Sequence, residues 1–196
     1  MPHNSRTLDR RQAIGLLTLG SVTCALPFAA QAQGMDWPLR SGFPAIDEQH
    51  LWIRQAGRSE VLHTRFRHSD GSADLDGFAD LTWLFRDWRD GGSVSWMDIR
   101  LFDLLATVQT YASLVLGQPA EMVLNSGYRT PGRNATIEGA AANSQHIHGR
   151  AADITVPGIP HRDVRDVAEA SRAPGLGRYP DFTHLDVGPP GRRWRG

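Results

Sequence analysis

Lysine is absent. All 21 basic residues of this 196-residue chain are arginine, and 21 acidic residues balance them. A chain with no net charge and no basic stripe lacks the electrostatic footprint of a nucleic-acid binder, so no nucleic acid is expected as a partner. Cysteine is nearly absent as well. The single one, Cys24, lies in an apolar N-terminal stretch. A chain cut beyond it has no thiol, needs no disulfide and cannot use a cysteine nucleophile. Long apolar runs are scarce too: the stretch from Ala13 to Ala30 is broken by Gly15, Gly20 and Pro27, which argues against a lasting membrane span. Repeats and low-complexity tracts are missing. What is there is a chain 40% hydrophobic, enough for one compact core, and a monomer is expected.

Arg10 and Arg11 precede the apolar stretch, which closes on the small-x-small end Ala30-Gln31-Ala32. This layout predicts a twin-arginine export signal over residues 1–32, cleaved after Ala32, and so a periplasmic or envelope address. Thr23 stands where a lipoprotein anchor on Cys24 would want a small residue, so no such anchor is expected. Residues 33–49 are rich in glycine, proline and charge and read as an irregular lead-in. From His50 to Ser72 apolar and polar residues alternate around a glycine-centred turn, with Trp52, Val61 and Phe66 fitting one or two hairpins. Helical spacing follows from Asp74 to Trp88, with a stop at Gly91-Gly92. Residues 33–92 are thus a hairpin-and-helix region packed on the core.

Residues 93–196 read as the core itself. Leu101, Leu104, Leu105, Val108 and Ala112 recur at spacings of three and four, predicting a core-facing helix with Ser95 as N-cap and Gly117 as its stop. Short β-rich runs follow at "AEMVLNSGYRT" and "AADITV", then an amphipathic helix at "PHRDVRDVAEASRA" and a last strand at "FTHLDVG". Hairpin, helices, then strands mixed with a helix make an α+β fold.

The chemistry concentrates in "SQHIHGRAADI", Ser144 to Ile154. His146 and Asp153 are seven apart. On a helix that is roughly 10 Å along the axis, and on a flat strand an odd separation sends them to opposite faces. Both can bind one ion only if the chain folds back between them, and Gly149 supplies the bend. In the strand after it, Ala152, Ile154 and Val156 suit the core, so Asp153 points the other way. "FTHLDVG" gives the same result: Leu185 and Val187 claim the core, leaving His184 and Asp186 together on the other, exposed face. Two nitrogens and one oxygen with an open fourth position describe a catalytic zinc site. Spacing does not choose between His146 and His148, and a lone histidine or aspartate on a strand is more often a satisfied polar residue.

Four ordered motifs narrow this. "SGYRTPGRN" (126–134), "SQHIHGRAADI" (144–154), "GLGRYPDFTHLDVGP" (175–189) and "GRRW" (191–194) together resemble the zinc murein peptidases related to D-Ala-D-Ala carboxypeptidases, especially the MepK-like murein endopeptidases. The likeness is strong over 121–194 and fainter over 50–105. It implies a hedgehog/D-Ala-D-Ala-peptidase-like fold, a small antiparallel sheet with helices packed on one side. It implies Zn2+ as cofactor, held by His146, Asp153 and His184, and peptidoglycan peptide stems or cross-links as substrate. The Ser-Gly-Tyr-Arg motif puts Arg129 at a developing oxyanion or a substrate carboxylate. Tyr128 and Ser144 become substrate-binding candidates. Asp186 becomes general base or orienter of His184. Many relatives carry a Glu three residues before the third ligand, where this chain has Asp181. A second class remains beside the hydrolase: a secreted module that keeps the zinc site but only binds wall peptides, as hedgehog signalling domains keep theirs.

Overall fold

The computed structural model describes residues 49–196, so the export leader and nearly all of the lead-in lie outside the described residues. Strands β1 (Gln49–Gln55) and β2 (Val61–Arg67) form the expected hairpin. Helix α1 (Leu75–Leu84) starts on Asp74, whose carboxylate accepts from the Gly77 amide. It ends seven residues before Gly91. Tertiary bonds end it: the Tyr128 amide takes the Phe85 carbonyl at 2.8 Å, and Asp87 turns to accept from the Thr130 amide at 3.0 Å.

Helix α2 (Ile99–Leu116) is capped by Asp98, not Ser95, and closes on Gly117 at φ 66°. The Asp98 amide bonds the Gly149 carbonyl at 2.8 Å, which holds the chain extended up to that point. Strand β3 (Met122–Ser126), the short helix α3 (Pro131–Thr136), a single 3₁₀ turn (Gln145–His148) and β4 (Ala151–Thr155) follow. Helix α4 (His161–Ala170), β5 (Gly175–Arg178), β6 (Thr183–Asp186) and β7 (Arg192–Arg195) complete the chain.

The sheet has seven strands in the order β2-β1-β3-β4-β6-β5-β7. It is mixed, which corrects the small antiparallel sheet expected from the resemblance: β1–β3 and β5–β7 are parallel, the other pairs antiparallel. Two strands were not legible. β5 reads Gly-Leu-Gly-Arg and β7 reads Arg-Arg-Trp-Arg, neither an alternating apolar pattern. β1 and β2 extend the same sheet as β4 and β6, so residues 49–92 share one core with the rest.

That core lies on one face, where α1, α2 and α4 pack. Leu51, Ile53, Met122, Leu124, Ile154 and Leu185 from the strands meet Leu101, Leu104 and Leu105 of α2, all fully buried. Each such side chain contributes roughly 2 kcal/mol of transfer free energy. α2 is long and apolar enough to cross a membrane by composition alone, and this buried stripe shows why it is apolar here. With the core claiming one face, the alternation of every central strand pushes its remaining side chains to the other.

Candidate metal centre

On that second face the strand register builds a row. Ser126 lies opposite Asp153, Asp153 opposite His184, His184 opposite Gly177 and Gly177 opposite Trp194. A register shift between Leu124 and Ser126 brings Ser126 into line, as a bulge re-aims a side chain. His146 arrives from outside the sheet. Its 3₁₀ turn is capped by Ser144, whose hydroxyl accepts from the His146 amide at 3.4 Å. The turn ends on Gly149 at φ 65°, where a Cβ would also stand 2.4 Å from the Trp96 carbonyl oxygen. Only glycine allows both the left-handed turn and that approach. The fold thereby chooses between the two histidines. His146 is buried, whereas His148 is exposed and bonded to Asn143 Oδ1 at 2.7 Å.

His146 Nε2, Asp153 Oδ1 and His184 Nδ1 converge. Nε2 lies 3.2 Å from both other atoms, and Nδ1 lies 2.8 Å from Oδ1. The far side of the His146 ring settles which of its nitrogens carries the proton. His146 Nδ1–H donates to the Gly127 carbonyl at 2.6 Å, because a carbonyl can only accept. His184 has a carboxylate at each nitrogen, Asp186 Oδ2 3.2 Å from Nε2 and Asp153 Oδ1 2.8 Å from Nδ1, so a proton on Nε2 bonds Asp186 and leaves the Nδ1 lone pair for a metal. With His184 protonated on Nε2, both neutral rings turn lone pairs inward, beside a carboxylate oxygen. Three acceptors packed this closely repel unless a proton or a metal ion joins them. Tetrahedral bonds of about 2 Å put neighbouring ligand atoms about 3.3 Å apart, close to the spacing found, so the residues fit a metal ion.

Burial and neighbouring charges shift each of the three groups. Burial holds the His146 imidazole below its usual range, keeping its lone pair available. Burial also pulls His184 down, but its bonds to Asp153 and Asp186 outweigh it and raise the group. Asp153 is pushed up by burial and brought far below the carboxylate range by the two imidazoles. The cluster draws positive charge to its centre.

Arg129 anchors this cluster from the side. Its Nε donates to Ser126 Oγ at 2.8 Å, and its Nη2 pairs with Asp153 Oδ2. One Asp153 oxygen thus faces the histidines while the other is held by a guanidinium. Burial lowers the Arg129 pKa, and the Asp153 charge opposes it.

Asp186 stands elsewhere than expected. It lies across the His184 ring from Asp153, fully buried rather than on an exposed face. Its other oxygen takes the Gly188 amide at 2.8 Å and Arg192 Nη2. Burial raises this carboxyl and those bonds together bring it below its ordinary range. Gly175 makes room: a Cβ there would fall 2.0 Å from the Asp186 carboxylate. At Gly177 a Cβ would fall 2.8 Å from the Trp194 indole. The glycines that hid β5 from pattern reading are what this face requires.

Of the other expected residues, Ser144 is used as the cap on the His146 turn. Tyr128 packs its half-buried ring against the hydrophobic core. Asp181 is exposed, and its backbone carbonyl accepts from Thr155 Oγ1. Sequence reading missed the Gly127 carbonyl, Arg192 and Gly175. Backbone acceptors carry no residue signature, and Arg192 reaches Asp186 only through the β5–β7 pairing.

The profile of the peptidoglycan L,D-endopeptidase MepK family matches residues 44–194. The chain belongs to this family. Its MepK relatives include the probable peptidoglycan L,D-endopeptidase MepK of Haemophilus influenzae, 38% identical over 152 residues, covering 74% of this chain and 78% of that protein. The peptidoglycan L,D-endopeptidase MepK of Escherichia coli K12 is 37% identical over 122 residues, or 59% of this chain and 64% of its own length, just short of two thirds. The span matched by the MepK family takes in every strand of the sheet, from β1 to Trp194 in β7.

Proposed function

We propose that this chain is a zinc-dependent peptidase that hydrolyses amide bonds in the peptides of peptidoglycan, in the manner of an L,D-endopeptidase. The MepK relatives are named for that activity. The observation that carries the reading is the convergence of His146 Nε2, Asp153 Oδ1 and His184 Nδ1, two imidazole nitrogens and a carboxylate oxygen at the spacing of ligands around one ion. Two nitrogens and one oxygen suit zinc, and three protein ligands leave the fourth position that a catalytic site needs. The leader with Arg10 and Arg11 supports a periplasmic address by the twin-arginine route, which carries folded, already loaded proteins.

Zinc held there supplies a Lewis acid for the amide carbonyl and brings the pKa of water toward neutrality. The chain's own residues do the rest. Arg129 holds Asp153 in place through its planar fork and has N–H groups left over for a substrate carbonyl oxygen. Ser144 and Gly149 aim His146. Asp186 fixes the tautomer and the plane of His184 and makes it a better donor to the metal. From across the ring it is an orienting group, the second of the two roles expected for it.

That assignment has a direct check. Asp186→Asn should weaken zinc binding about 10- to 100-fold, as loss of an outer partner does. Cleavage at saturating zinc should stay within a few-fold of wild type. A collapse of kcat at full zinc occupancy would restore the general-base role.

Function itself is tested with purified peptidoglycan. Muropeptide digests should show new amine ends that appear with zinc, vanish with a chelator and return on adding zinc back. Zinc bound at one equivalent without any cleavage would instead make the chain a wall-peptide binding module.

A further inference from the structure

Beside His184 the structure assembles an aromatic group that the zinc-and-arginine account leaves without a task. Trp194 comes from β7, and its indole lies across Gly177 with its ring centre 4.9 Å from that of His184. Its Nε1–H donates to the Tyr179 hydroxyl at 3.0 Å. Tyr179 in turn stacks on Phe182, with centroids 4.4 Å apart and planes 17° from parallel. All three rings are only partly covered. Arg129, the residue that holds Asp153, lies within electrostatic range of the Tyr179 oxygen.

These contacts fix a proton. The stack on Phe182 sets the plane of the Tyr179 ring, and a phenol carries its hydrogen in that plane. A tyrosine hydroxyl has one O–H to give and can accept as well. The indole N–H occupies one accepting position on the hydroxyl at 3.0 Å, so the O–H turns away from Trp194. A bare hydroxyl rotor would have to be ordered during the reaction, whereas here the ordering is built into the fold.

We infer that the Tyr179 hydroxyl is a catalytic hydrogen-bond donor, directed at the carbonyl oxygen of the amide under attack as that oxygen gains negative charge. Trp194 is its positioning residue. The assignment rests on the peptidase reading above, and no proton leaves the tyrosine: the hydrogen bond strengthens as charge develops and relaxes when the amine departs. Binding gained only at the transition state raises kcat more than it lowers KM.

The test uses the full chain loaded with zinc and the muropeptide that the wild type cuts. Tyr179→Phe keeps the ring on Phe182 and removes only the hydroxyl. It should lower kcat on the order of 100-fold, the usual effect of losing one oxyanion donor, with KM, zinc content and melting temperature unchanged. Trp194→Phe keeps a ring over Gly177 without the N–H and should give a smaller loss of kcat in the same direction. A second readout needs no turnover. A phosphinate carrying tetrahedral phosphorus at the cleaved position should bind Tyr179→Phe weaker by the factor lost in kcat/KM, while product peptides bind equally well. Wild-type kcat in Tyr179→Phe, or undiminished phosphinate affinity, overturns the assignment. A wild-type chain that binds zinc and cuts nothing overturns the peptidase reading first, and this one with it.

Discussion

His184→Ala should bind no stoichiometric zinc at micromolar metal and should lose peptidoglycan cleavage by at least about 1,000-fold, or about 4 kcal/mol of transition-state stabilisation. Three protein atoms face one another in this centre, so the variant removes a third of the direct ligands. Loss of a partner one layer out already costs 10- to 100-fold, which makes this the lower bound for a ligand. The fold should survive. The His184 side chain stands on the face opposite the helices, and its neighbours Leu185 and Thr183 still fill the core side. The check is metal content by mass spectrometry, cleavage of muropeptides and circular dichroism on the same sample. Unchanged cleavage in a folded variant would end the proposal of catalysis at this centre.

Arg129→Ala carries the second large effect, and its signature lies in stability. Asp153 is almost entirely buried, and Arg129 neutralises the oxygen turned away from the histidines. Removing one partner of a buried pair leaves an uncompensated charge, at a cost of about 3–5 kcal/mol. For a chain of this size that is roughly 10 °C in melting temperature. Zinc supplies the missing positive charge from the other side of the carboxylate. The metal-free variant should therefore melt well below metal-free wild type, and zinc should raise the variant's midpoint by more than it raises the wild type's. Cleavage by the loaded variant should also fall about 100-fold or more, because the fork that aims Asp153 and faces the substrate is gone. Lysine should rescue little: its single ammonium nitrogen does not reproduce the planar fork whose Nε meets Ser126 and whose Nη2 meets Asp153. Equal melting of both proteins without metal would show that the pair does not neutralise a buried charge.

The two effects separate roles that look alike on paper. His184 and Arg129 both touch Asp153, at different oxygens. One presents a lone pair to a cation, the other a permanent cation to a carboxylate. The first variant loses metal while keeping its fold; the second loses stability that metal restores.

Much of the fold was legible because apolar alternation is a local property. The β1–β2 hairpin, the core stripe of α2 and its stop at Gly117 appear where period and cap chemistry put them. β4 and β6 were found the same way, from Ile154 and Leu185 facing the core. The misses share one cause. α1 stops at Leu84 because Phe85 and Asp87 bond to residues some forty positions later, and α2 starts at Asp98 because Gly149 holds the preceding chain. β5 and β7 have no apolar period, since one face of β5 is kept bare for Asp186 and Trp194.

By itself the sequence determined composition, a fold that mixes helices and strands, the turn at Gly149 and the sheet face away from the core that Asp153, His184 and Asp186 share, all consequences of period and side-chain chemistry along a short stretch. Tertiary structure alone decided the rest. It chose His146 over His148, set Asp186 behind the His184 ring, tied Arg129 to Asp153 and laid Trp194 over Gly177. Those choices depend on which strand pairs with which and in what register, and pairing joins residues whose separation along the chain carries no local trace.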